Sequence, residues 1–179
     1  MNLKRLTILD IAFIFGFSFI THNLYEWFPN AVTAIFFPVN ESVWEHQKMI
    51  YTTTIIWGLI NHFLINKYNI KIKNKISAIY IGAIANVIIF LLVYTPIYLI
   101  WGHNLILTLL IYLITIIIAQ IIAYIIFNFK QNLKTLNYYS LVLIPLTFLI
   151  FWLLTYYPIE LEYPFYDTHN DKHGIYSYY

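Results

Sequence analysis

Apolar residues run through this chain in long blocks separated by short polar interludes, and the block lengths are the first guide to its architecture. Five of them, Leu6–Tyr25, Val43–Ile65, Ile76–Trp101, Leu105–Phe127 and Tyr138–Tyr157, reach the roughly 20 residues that an α-helix needs to cross a bilayer. The pattern predicts an all-α fold: a five-span transmembrane helix bundle over residues 1–157, followed by a polar extracytoplasmic tail over residues 158–179. Between the first two blocks, Pro29 and Pro38 bound an apolar stretch too short to cross, expected to lie in the outer interface or to cap the bundle.

Composition agrees with a chain solvated by lipid. Hydrophobic residues make up 61% of the 179 positions and charged residues 10%, with a mean hydropathy of +0.70, values that belong to bilayer proteins. The net charge of +2 implies no nucleic-acid surface. The absence of cysteine excludes disulfides and thiolate metal sites, so any metal must be held by histidine and carboxylates. Lys4 and Arg5 precede the first block as they would in a signal peptide, but no small-residue cleavage site follows, and the segment is expected to be retained.

Charge position sets the expected orientation. Lys4 and Arg5, then Lys67, Lys71, Lys73 and Lys75, then Lys130 and Lys134 fall at alternate ends of successive spans, which predicts a cytoplasmic N-terminus, an outer C-terminus and residence in the plasma membrane. Glu26, Glu41, Glu45, Glu160, Glu162, Asp167 and Asp171 then collect outside, with every histidine except His62. Within the spans, Asn86 and Gln120 are expected at similar depth and able to form an interhelical amide pair, and Asp10 to pair with Lys4 or Arg5.

The chemistry-bearing segment is Pro38-Val39-Asn40-Glu41-Ser42-Val43-Trp44-Glu45-His46. Ser42 to Glu45 matches a capping box, and Lys48 is placed to pair with Glu45 at i+3. Glu41 and Glu45 stand four apart and are expected on one side of the second span, with His46 about 100° further round. The first span ends in a second such pair, His22 and Glu26. The spacing nominates Glu41, Glu45 and His46 as catalytic groups, and His22, Glu26 and His46, joined by Asp167 from the tail, as ligands for zinc or another borderline divalent ion. HExxH is absent. In the tail, Asp167, His169, Asp171 and His173 alternate, but a solvated terminus is the expected state for most of it. His103 is read as a solvated loop residue.

The string PVNESVWEH, preceded by His22-Asn23-Leu24-Tyr25-Glu26-Trp27 and followed by Pro164-Phe165-Tyr166-Asp167, resembles a family of small bacterial integral membrane proteins of unknown function, over essentially the whole chain. The resemblance implies a shared fold and a shared outer site, and no activity. Function therefore stays open among three readings: a metal-assisted hydrolase or transferase on lipid-derived or envelope substrates, a non-catalytic membrane partner whose Glu, Ser and His residues only cap and dock a helix, and a small transporter. Transport is the least supported, for want of an internal repeat or a charged path through the spans.

Overall fold

The computed structural model describes residues 3–68, 70 and 72–177; Lys71 lies outside the described residues. Its long helices are α1 (Leu3–Trp27), α3 (Val43–Lys67), α4 (Lys75–Trp101), α5 (Leu105–Phe127) and α6 (Lys134–Tyr156), with short α2 (Ala31–Phe36) after α1 and α7 (Glu162–Phe165) after α6. Helices α4, α5 and α6 are long and apolar enough to cross a membrane, with mean hydropathies of 2.5, 2.8 and 1.9. The other two expected spans, α1 and α3, match them in length but carry Asp10 in one and Glu45, His46, Lys48 and Asn61 in the other.

Helix α4 packs against α5, α3 and α6, and α1 packs against α3 and α5. One end of the bundle gathers the cationic loops. There the buried Asn74 amide donates to the Gln131 carbonyl at 3.0 Å and accepts from the Leu133 N–H at 2.9 Å, tying the turn before α4 to the turn before α6. Asp10 does not reach for Lys4 or Arg5. It is buried on α1 and accepts from Trp57 Nε1 and Asn61 Nδ2 of α3, both at 2.8 Å, because an internal carboxylate is satisfied most cheaply by neutral donors already in the interface. The Asn86–Gln120 pair is not made either. The Asn86 amide has no hydrogen-bond partner among the described residues, while Gln120 faces the small cavity beside Asp10 and Asn61. Equal depth on two helices does not fix equal azimuth.

At the opposite end the tail departs from expectation most. It folds into a three-stranded antiparallel sheet, β1 (Tyr166–Asp167), β2 (Lys172–His173) and β3 (Tyr176–Ser177), seated on the loop before α3. Asn40 Nδ2 donates to the Gly174 carbonyl at 2.8 Å, the Ile175 N–H donates to the Thr155 carbonyl at 3.1 Å, and Lys172 Nζ donates to the Val39 carbonyl at 3.2 Å. Gly174 adopts a positive φ of 55°, and a Cβ there would overlap the Thr155 carbonyl, so only glycine lets the sheet approach α6 this closely. Backbone and amide pairing to the 39–42 loop orders a segment whose composition alone suggests solvation.

Candidate metal centre

The site is built where α1 ends and α3 begins. Helix α3 starts at Val43, with Ser42 as its N-cap: the Ser42 hydroxyl accepts from the Glu45 N–H at 3.2 Å. Only half of the expected capping box forms, because Glu45 Oε2 accepts from the Val39 N–H at 3.1 Å and the Ser42 N–H is taken by Asn40 Oδ1 at 2.8 Å. Glu41 therefore precedes the helix. It does not share a face with Glu45, and the two carboxylates separate into different environments.

Glu45 turns inward. It is buried and pairs with the equally buried Lys48 at 2.6 Å, as the i+3 spacing predicts. Thr155 Oγ1 of α6 donates to Glu45 Oε1 at 2.7 Å. Lys48 Nζ also donates to Thr155 Oγ1 and to the Ala34 carbonyl of α2, each at 2.8 Å. All three ammonium protons have acceptors, and the pair clamps α2 and α6 onto α3. Glu45 is thus tied into the contact of α2 and α6 with α3, and its carboxylate, expected among the catalytic groups, lies buried outside the lining of the cleft.

Glu41 turns toward α1. Its N–H donates to Asp167 Oδ2 at 2.9 Å, and its Oε2 lies 3.5 Å from His22 Nε2 and 3.6 Å from His46 Nε2. The two imidazole nitrogens are 3.2 Å apart. Three ligand atoms held tetrahedrally at zinc distances would be separated by roughly 3.3 Å, so this near-equilateral triangle has the dimensions of a facial three-ligand set with one position left open. His46 Nδ1 lies 2.9 Å from the Ser42 carbonyl. A carbonyl only accepts, so Nδ1 carries the proton and Nε2 of the neutral ring presents its lone pair to the centre. The side chains of His22, Glu41 and His46 are 28%, 42% and 25% exposed, which leaves the triangle reachable. Hydrogen bonding from His22 depresses the Glu41 carboxyl to about 2; partial burial opposes this, and the His46 and His22 charges add to it. Glu41 is ionised at any physiological pH.

Of the four expected metal ligands, His22 and His46 meet, and Glu41 supplies the third position. Glu26 is exposed and outside the group. Asp167 stands one shell behind. Its Oδ1 accepts from the His169 N–H at 2.8 Å and the Asn170 N–H at 3.2 Å, and its Oδ2 from Asn170 Nδ2 at 2.8 Å as well as from Glu41. Burial works against its charge, but these donors hold its carboxyl below the usual range. Asp167 therefore orients the Glu41 backbone. Asp167→Ala is expected to weaken metal binding by about 10–100-fold, as loss of an outer-shell partner does, measured by competition with a chelating dye.

The chain matches a family of unknown function, DUF6512, over residues 1–175. It belongs to that family. No curated protein and no solved structure matches it, so family membership brings no activity to this DUF6512 site, and its chemistry has to be argued from its own residues.

Two cavities adjoin the triangle. The larger, about 240 Å³, is lined by His22, Glu41 and His46 and walled by apolar side chains that include Phe19, Met49, Phe90 and Leu109. The smaller, about 40 Å³, lies between Glu41, His46 and the C-terminal sheet. His103 lines both. Its part in the site is invisible in the sequence, because the partner ring, His169 at 6.0 Å, is brought over by the folded tail.

Proposed function

We infer that this protein is a metal-assisted hydrolase or transferase of the plasma membrane, acting on a lipid-derived substrate at the outer face. His22, Glu41 and His46 bind a divalent ion, zinc by the character of the donor set. The observation that carries this reading is the triangle of ligand atoms, 3.2–3.6 Å on a side, at the wall of an apolar cleft. A bound ion would supply a Lewis acid and a nucleophile at neutral pH. The chain's own residues present the lone pairs, fix their orientation through Ser42 and Asp167, and offer an apolar cavity that favours an acyl or prenyl chain over a water-soluble substrate.

The five-span reading belongs to this proposal: α1 and α3 cross with α4, α5 and α6, their polar groups satisfied within the bundle, and the basic loops face the cytoplasm. The non-catalytic alternative accounts well for Ser42, Glu45 and Lys48, which cap and dock α3. It gives the His22, Glu41 and His46 cluster a role in tying α1 to α3, but no reason for its three ligand atoms to open onto an apolar cleft.

The test is turnover of lipid esters by protein reconstituted with one equivalent of zinc. Hydrolysis lost in His22→Ala and His46→Ala but kept in Glu26→Gln supports the reading, and zinc-independent or absent turnover across ester classes counts against it. Metal affinity should also fall on acidification. Protons compete with the metal for both rings, and displacing two ring protons lowers apparent affinity by up to about 100-fold per pH unit once both rings are protonated. Glu41, depressed to about 2, stays ionised through this window, so it holds its contribution and the loss between pH 7 and pH 5 reports the histidines alone. A titration calorimetry series over that range measures it.

A further inference from the structure

The two cavities that meet at the triangle differ in chemistry, and the difference specifies more than a generic lipid. The larger is apolar. The smaller is rich in donors: His103 and His169 face each other edge to face with ring centroids 6.0 Å apart, and Tyr98 and Thr168 add hydroxyls. Among the described residues, no ring nitrogen of His103 or His169 hydrogen-bonds to protein. The one carboxylate lining this cavity among the described residues is Glu41, already committed to His22 and His46. A divalent ion held by Glu41 and two neutral imidazoles leaves the centre with a net charge of +1, so the pocket beside it combines positive charge, unpaired N–H and O–H donors and no free acceptor carboxylate. Such a pocket is complementary to an oxyanion.

We propose that the substrate class of this site is a phosphate-bearing amphiphile, its chain in the larger cavity and its phosphate in the smaller one, against the ring nitrogens of His103 and His169. The proposal rests on the enzymatic reading above but concerns binding, so the two can fail separately. The C-terminal sheet then has a purpose beyond ordering Glu41: it carries His169 and Thr168 over the mouth of the cleft and completes the headgroup pocket. Inorganic phosphate offers the same headgroup without the chain, and a neutral alkyl glucoside the chain without the headgroup.

The test uses the full chain in maltoside micelles, zinc-loaded and zinc-free, titrated with decyl phosphate, inorganic phosphate and decyl glucoside. Decyl phosphate is expected to bind at least about tenfold tighter than either control, and the double variant His103→Asn/His169→Asn to lose at least about tenfold for decyl phosphate, to weaken inorganic phosphate likewise and to leave decyl glucoside unchanged. Both positions are exposed, and unchanged decyl glucoside binding shows the double variant to be folded. Equal binding of decyl phosphate and decyl glucoside, or of decyl phosphate by wild type and double variant, overturns the proposal. Zinc binding without this selectivity sinks the phosphate pocket alone. Selectivity without zinc binding sinks the metal reading and leaves the pocket standing.

Discussion

Lys48→Met should be among the most damaging single substitutions in the protein, lowering stability by about 3–5 kcal/mol because it strands a buried carboxylate. Glu45 is 1% exposed and its partner Lys48 0%. Removing the ammonium leaves Glu45 with only the Val39 N–H and the Thr155 hydroxyl, and also frees the Ala34 carbonyl of α2. The companion Glu45→Leu/Lys48→Met should recover most of the loss, since a buried ion pair replaced whole by apolar groups is often neutral. Thermal unfolding midpoints in detergent, read for wild type, single and double variants, decide it. A neutral single variant would mean that the pair does not clamp the helices. The double variant should also bind zinc like wild type, because this network lies apart from the triangle.

His46→Ala carries the second large effect. It deletes one corner of a three-ligand set, so zinc affinity should fall by well over the roughly 100-fold ceiling seen for outer-shell partners. His22→Ala should do the same. Glu26→Gln, on an exposed side chain outside the group, should change nothing. Equilibrium dialysis against a zinc buffer compares all three, and retention of wild-type affinity by His46→Ala would remove the centre.

The sequence discloses the helices and the neighbourhood of the site more fully than its geometry. Apolar block length is a local property, and the five long helices fall where the blocks do, with the Glu45–Lys48 pair at its i+3 spacing. The convergence of His22 and His46 follows from two helix ends sharing one face. Which carboxylate joins them does not, because it turns on where α3 begins: a start at Val43, fixed by the Ser42 cap and the Asn40 turn, puts Glu41 in the loop and frees it to face α1. Asp167 is legible as a site residue, but its place behind the Glu41 N–H is not, and neither is the meeting of His103 with His169, because both depend on a tail held by pairing to residues far away in sequence, such as Asn40 with Gly174, and no periodicity encodes that. Asp10 with Trp57 and Asn61, and the separation of Asn86 from Gln120, are likewise matters of helix azimuth.

The most direct test of the metal centre is X-ray absorption at the zinc edge on purified protein loaded with one equivalent of zinc. The account requires a four-coordinate ion with a nitrogen and oxygen shell at about 2.0–2.1 Å and the outer-shell scattering of two imidazoles, the latter reduced in His46→Ala. A zinc shell without imidazole scattering, or a spectrum unchanged by that substitution, would contradict it.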